Sequence, residues 1–455
     1  MQKTPLENWI SEKIFGSSGR ELTRDAIREY QLQKLRNVVD YVSEKSPFYR
    51  KRLAGLSGPS LSDREDLSSF PFTTVQDLCE YGAQFLCLSQ SHVERVVTIQ
   101  DAQAGDKFRR FFFSEADLEL SVDFFHNGMM AIAKPGQRVL ILLAGEKPGS
   151  VGDLLVNALG RGDVQGIVHG IVVDPARTIR EIVEERIDCL VGIPTQVLAL
   201  ARQEDIGQIP PGQIKSVLLA GDYAPSAIVD ELTRVWGCQV FTAYTPTAMG
   251  YGGGVECEAL AGYHLREADH YYEIVDPVSG KTKAPGESGE IVVTTLTRTA
   301  MPLIRYRTGD MSRFLSDPCS CGTVLRRMEK VRGRASDMVR LSSGDWLGIE
   351  DIDEALFPLG DVVNYSASLT RNHQVDRLEV AIYSGSNGRR PASETVVTAL
   401  LGVRTIDNAV KGGNLILEPV RCTDENRVTT CAIKRGIVQR NEEECENEPG
   451  RAHRL

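Results

Sequence analysis

Through residues 21–55 apolar side chains recur every three or four positions, with Leu32, Leu35, Val38, Val39 and Val42 on one face. That spacing predicts an amphipathic helix. It ends at "SPFYR", because a proline at 47 disfavours helical backbone in the residue before it. "FPFTTVQDL" predicts a turn, then a threonine N-cap and a second helix. From about 115 to 240 the pattern alternates. Apolar runs "RVLILLA", "GIVHGIVV", "DCLVGI", "IKSVLLAG" and "CQVFTAY" are separated by amphipathic stretches such as "EADLELSVDFFHNGMMAIA", "SVGDLLVNALGRG", "ARTIREIVEERI", "PTQVLALARQ" and "SAIVDELTRVWG". Buried strands alternating with helices predict a parallel sheet with helices on its faces, and functional groups at the carboxyl ends of its strands.

After 255 the pattern turns to strands: "YYEIVD", a turn at "PVSGK", "GEIVVTTL" and "MPLIRYRTGD". A boundary falls near "VRGRASDM". Beyond it, helix "DIDEALFPL", strands "VNYSASLTR" and "RLEVAIYS", helix "ASETVVTALLGV" and strand "NLILEPV" predict a small α+β domain. The expected fold class is α/β, with a large N-terminal domain (1–333) of mixed and parallel sheets plus a β subdomain, a small C-terminal domain (334–440), and a charged, disordered tail (441–455).

The chain has 455 residues, and acidic residues exceed basic ones by 62 − 52 = 10. That balance argues against general nucleic-acid binding, which needs a basic footprint. No apolar run approaches the roughly 20 residues of a membrane span. The first residues lack the apolar core of a secretory signal, so the expected compartment is the cytoplasm. Ten cysteines are then expected to be reduced. Cys79, Cys87, Cys189, Cys238, Cys422, Cys431 and Cys445 are isolated and read as small buried residues or inert thiols. Cys319 and Cys321 form a C-x-C turn. With Cys257 and His264 from "VECEALAGYH" they offer a Cys₃His shell suited to structural zinc. The alternative is a reduced loop with an unconnected His264. His169 is expected in the core and His270 on the surface.

The stretch "MPLIRYRTGD" places Arg305, Arg307, Thr308 and Asp310 at the end of a strand. Taken with "LQKLRNVVDYVSEKSPFYRKRL", "FPFTTVQDL", "LLAGDYA", "GYGGGVEC", "GESGEIVVTTLTRTAMPLIRYRTGD", "CSCG" and "RGRASDM", it resembles the phenylacetate–coenzyme A ligase family of the adenylate-forming superfamily. The resemblance covers roughly residues 25–440. It implies ATP-dependent activation of a small carboxylic acid to an acyl-adenylate, then transfer to a thiol, usually coenzyme A. It implies a small domain that rotates between the half-reactions. By resemblance Asp310 grips the ribose hydroxyls and Arg334 makes a second ribose or phosphate contact. Tyr244, Gly221 and Asp222 belong to the nucleotide site, while Arg305 and Arg307 hold the local loop. His126 could line the acyl pocket or sit in the core. A homodimer is left open.

The chain departs from the family pattern at four places. The Ser/Thr/Gly-rich phosphate loop reads "TIQDAQAGDKFRRFFFSEADL", keeping Gly105, with Lys107, Arg109 and Arg110 as its basic part. Asp101 and Asp106 put like charge beside phosphates, and such charges about 4 Å apart repel by several kcal/mol in a partly shielded site. The Tyr-Gly-x-Ser/Thr-Glu motif becomes Tyr244-Thr245-Pro246-Thr247-Ala248. Thr247 matches, but a methyl group at 248 cannot ligate magnesium, so magnesium dependence stays open. The hinge Asp is Ser336. The C-terminal catalytic lysine aligns with Ala432, leaving Lys434 as its substitute. Two expectations follow: an acid–thiol ligase using ATP and coenzyme A, or a degenerate adenylate-former that binds nucleotide or an acyl/CoA ligand as a sensor or scaffold.

Overall fold

The computed structural model describes residues 2–17, 19–100, 108–334, 338–371, 375–383, 390–423 and 435–441. Gly105, Ser336, Ala432, Lys434 and nearly all of the tail therefore lie outside the described residues. The fold is mixed α/β, as the pattern predicted. It divides into two compact units, Met1–Gly170, Ser216–Gly221 and Phe241–Val331 in the first, and Ile171–Lys215, Asp222–Val240 and Arg332–Leu455 in the second.

In the first unit, helices Pro5–Phe15, Arg24–Lys45, Glu115–Met129 and Val151–Gly160 accompany a parallel pair of strands, Arg138–Leu142 and Gln165–Val168. The "GIVHGIVV" strand proves shorter than its apolar run, since Gly170 turns the chain at φ 84°. Strands Gln239–Tyr244, Gly254–Val255, Tyr263–Leu265 and Arg327–Met328 pair antiparallel in that order. A separate antiparallel sheet joins His270–Val275, Gly289–Thr295 and Tyr306–Ser312. Strands Arg95–Gln100 and Phe108–Phe113 pair as a further ribbon, which the apolar pattern did not announce.

Local chemistry sets the approach to the site. Ser114 caps helix Glu115–Met129 in a reciprocal box with Asp117. The same Asp117 carboxylate accepts the backbone N–H groups of Thr299 (2.7 Å) and Ala300 (3.0 Å). A helix start thus anchors the segment that runs into "MPLIRYRTGD". His270, expected on the surface, is buried. Every residue of its strand is buried.

The second unit contains strand Cys189–Gly192 with helices Pro175–Glu184, Pro194–Ala201 and Ser226–Trp236. It also contains a sheet in which Leu415–Leu417, Asp376–Tyr383, Asn364–Arg371 and Ile437–Asn441 lie side by side, with Arg421–Thr423 also pairing to Asp376–Tyr383. Helices Ile349–Leu356, Ser393–Leu401 and Arg404–Lys411 accompany that sheet.

Candidate active site

Tyr244 closes the strand Gln239–Tyr244, and its hydroxyl donates to Asp310 Oδ2 at 2.6 Å. Asp310 is only 2 % exposed. Its strand alternates buried and half-exposed positions, so Tyr306, Thr308 and Asp310 share the buried face. The ladder to Gly289–Thr295 slips between Glu290 and Val292, and such a bulge re-aims side chains. Glu290 Oε1 accepts from Gly309 N (3.0 Å) and Thr308 Oγ1 donates to the Ile291 carbonyl (2.8 Å), which hold the bulge. Tyr263 stacks on Tyr244 with centroids 6.3 Å apart.

The two arginines of "IRYRTGD" are committed locally. Arg305 forks onto Glu273 (3.1 and 2.9 Å) and donates to the carbonyls of Ser68 and Phe70, 2.7 Å each. Arg307 grips Glu290 (Nε, 2.8 Å) and the Pro277 carbonyl (2.6 Å). Burial raises the Glu273 carboxyl above its ordinary range, with Arg305 opposing.

Of the predicted phosphate cations, Arg109 is buried and its Nη1 lies 3.5 Å from the Tyr306 hydroxyl. That contact puts it on the Asp310 side of strand Tyr306–Ser312. Arg110, one residue on, is exposed and points to the opposite face of its ribbon. Gly221 N donates to Thr245 Oγ1 (3.1 Å), the side chain standing where the family motif has glycine. Thr247 begins a short 3₁₀ turn. In the second unit Asp222 Oδ1 accepts from Tyr223 N (2.9 Å), and Arg334 is half-buried. A Cβ on neighbouring Gly333 would lie 2.4 Å from the Glu350 carboxylate, so that position excludes a side chain without rearrangement.

Cys257, His264, Cys319 and Cys321 are all buried, and their donor atoms lie within 4.8 Å of one another. Cys257 and Cys319 sulfurs are 3.7 Å apart, and His264 Nε2 is 3.3 Å from Cys257 and 3.6 Å from Cys321. A tetrahedron with metal–sulfur bonds of about 2.3 Å and metal–nitrogen bonds of about 2.0 Å has edges of about 3.8 Å and about 3.5 Å. The three separations above match those edges. Burial holds His264 down to about 4 and pushes Cys257 up to about 12. The imidazole is therefore neutral, the form that ligates. A bound cation would reverse the cysteine shift, because coordination favours the thiolate.

No protein-family model matches the chain. A phenylacetate-coenzyme A ligase of Thermus thermophilus is 28% identical over 384 residues, covering 79% of this chain and 82% of that protein. One from Pseudomonas putida is 29% identical over 385 residues with the same coverage. The chain resembles the phenylacetate–coenzyme A ligases. Its fold is that of adenylate-forming CoA ligases. A 2-hydroxyisobutyryl-CoA ligase in the postadenylation state, in complex with R3-HIB-AMP, matches with TM-score 0.75 at 20% identity, over 92% of this chain and 90% of that one. An anthranilate CoA ligase in complex with anthranoyl-AMP matches with TM-score 0.51 at 14% identity, over 75% and 66%.

Around the positions where this chain departs from the phenylacetate–coenzyme A ligase pattern, the structure adds residues that the motifs did not flag. Ala248 is buried, and its carbonyl accepts from Arg298 Nη1 (2.9 Å), whose Nη2 reaches the Phe112 carbonyl (3.1 Å). Glu256 is fully buried. It accepts from Thr242 N and Oγ1 (2.8 Å each) and pairs with Lys330 (3.1 Å). It thereby braces the strand that ends in Tyr244. No spacing rule singles out these groups, since each acts through a contact distant in sequence. Among the described residues no helix is long and apolar enough to cross a membrane.

Proposed function

We propose that this chain is a divergent phenylacetate–coenzyme A ligase. It activates a small carboxylic acid with ATP to an acyl-adenylate and passes the acyl group to a thiol such as coenzyme A. The observation that carries this reading is the buried Tyr244–Asp310 contact, in a chain aligned with ligases over most of its length. In the first step a carboxylate oxygen attacks the α-phosphorus and pyrophosphate leaves. In the second a thiolate attacks the acyl carbon and AMP leaves. Both steps develop charge that fixed donors and cations must meet.

In this reading Asp310 accepts the two ribose hydroxyls while Tyr244 holds the carboxylate in orientation. Gly221 and Asp222 line the nucleotide, and Arg334 reaches the ribose or a phosphate. Arg109 and Arg110, with Gly105, meet the phosphates. Thr247 and Lys434 serve the reacting carboxylate and α-phosphate. Ala248 offers magnesium no ligand, so charge compensation falls more heavily on arginine. Cys257, His264, Cys319 and Cys321 hold a structural zinc, a role supported by the close spacing of their four buried donors. Residues 334–440 form the small domain that moves between the half-reactions. The protein works in the cytoplasm, and a homodimer is compatible with the reading. The binding-only alternative draws no support from the relatives, which carry ligase names.

The test is pyrophosphate exchange over a panel of aromatic and aliphatic acids, followed by thioester formation with coenzyme A. Exchange dependent on one class of acid is the expected outcome. A folded protein that exchanges with none of them defeats the reading.

A further inference from the structure

Arg435 makes a doubly hydrogen-bonded ion pair in the second unit. Its guanidinium forks onto Asp353, Nη1 to Oδ1 at 2.7 Å and Nη2 to Oδ2 at 2.6 Å. It lies over the rings of Phe357 and Tyr365, 5.0 and 5.7 Å from their centroids. Asp353 is fully buried and also accepts from the Tyr365 hydroxyl. A fork of this kind is complete as a structural pair. Yet Arg435 has a third edge, and its Nε lies 3.5 Å from Asp222 Oδ2, an ion pair without hydrogen-bond geometry.

The next residue along the same helix holds the same loop. Glu354 accepts from the Tyr223 hydroxyl (2.5 Å), from Ser226 N (2.9 Å) and from Ser226 Oγ. Two adjacent carboxylates of helix Ile349–Leu356 are therefore turned to the 222–226 loop, Glu354 directly and Asp353 through Arg435. From Arg435 the chain runs on into strand Ile437–Asn441. One side chain thus links that strand's entry, the helix and the loop across 82 and 213 residues of sequence.

We propose that Arg435 is a positioning residue for the nucleotide site. In the half-reaction that keeps this contact, it holds Asp222, and with it the turn after Gly221, in the conformation that receives the adenosine moiety. This rests on the assignment of Gly221 and Asp222 to the nucleotide. Arg435 need not touch the ligand. Its contribution is to hold Asp222 Oδ2, the oxygen left over once Oδ1 accepts from Tyr223 N, and preorganisation of that kind appears as affinity.

The experiment measures the Kd for AMP by calorimetry on the full chain, for wild type, Arg435→Lys, Asp222→Asn and the double variant. Lysine keeps a cation for buried Asp353, so the fold is retained, but it lacks the fork and the third nitrogen. Each single substitution is expected to weaken AMP binding about tenfold. The double variant is expected to be no weaker than the weaker single, because both remove one contact. Single effects that multiply in the double variant overturn the proposal. So does a lowered melting temperature in Arg435→Lys with AMP affinity unchanged, since that is a purely structural role. Wild-type protein that binds no AMP overturns the proposal and the nucleotide assignment together. Wild-type protein that binds AMP yet exchanges no pyrophosphate defeats only the ligase reading, and the four Kd values still decide the role of Arg435.

Discussion

Replacing Tyr244 with phenylalanine isolates one oxygen at the centre of the site. The ring, and its stacking on Tyr263, are kept. The 2.6 Å hydrogen bond to Asp310 is lost. A hydrogen bond to a charged group contributes about 1.5–3 kcal/mol, and a buried carboxylate deprived of its donor keeps its desolvation cost. At about 2.1 cal/mol/K of unfolding entropy per residue, each kcal/mol lowers the melting temperature of a 455-residue chain by roughly 1 °C, so a fall of roughly 1.5–3 °C is expected. The functional loss follows from orientation. Asp310 is enclosed, and Tyr244 fixes one of its oxygens. Without that donor the carboxylate can rotate away from the plane needed to accept two adjacent hydroxyls. The expected weakening of AMP binding is tenfold to hundredfold, equivalent to about 1.4–2.8 kcal/mol. Calorimetry gives the affinity, and a thermal melt on the same sample gives the stability. Asp310→Asn, which keeps the shape but loses the charge, should weaken AMP at least as much. If both variants are folded and bind AMP within twofold of wild type, the Tyr244–Asp310 pair is a structural contact and the ribose assignment is wrong.

Three further outcomes are expected. Cys319→Ser should release close to one equivalent of zinc from the purified protein by metal analysis, with a fall in melting temperature that added zinc fails to reverse; wild-type protein free of zinc refutes the metal assignment. Arg298→Met should destabilise by about 2–6 kcal/mol in a denaturant titration, because two carbonyls lose their donor at about 1–3 kcal/mol each; a loss under about 1 kcal/mol means water replaces the guanidinium. Ala248→Glu should give ATP binding a magnesium dependence greater than that of wild type, despite an overpacking cost of about 1–3 kcal/mol; equal magnesium dependence refutes the equivalence of position 248 with the metal-holding glutamate.

The alternation of apolar strands with amphipathic helices was legible because burial on both faces imposes a continuous apolar run, while helices show a period near 3.6. That sufficed for the α/β class. The Cys257, His264, Cys319 and Cys321 set could also be chosen from residue type, since few roles other than coordination call for clustered thiols and an imidazole. The local commitment of Arg305 and Arg307 could be expected too, though their partners could not. Glu273, Glu290 and the carbonyls of Ser68 and Phe70 belong to segments up to 237 residues away.

Only the tertiary structure brought Tyr244 against Asp310, Glu256 under Thr242, and Arg435 between Asp353 and Asp222. It also buried His270, expected on the surface. The physical reason is the same in each case. Periodicity records how a segment partitions between core and solvent, a property of neighbours along the chain. A hydrogen bond or ion pair depends on which distant segment packing delivers within about 3 Å, and one sequence does not record that distance.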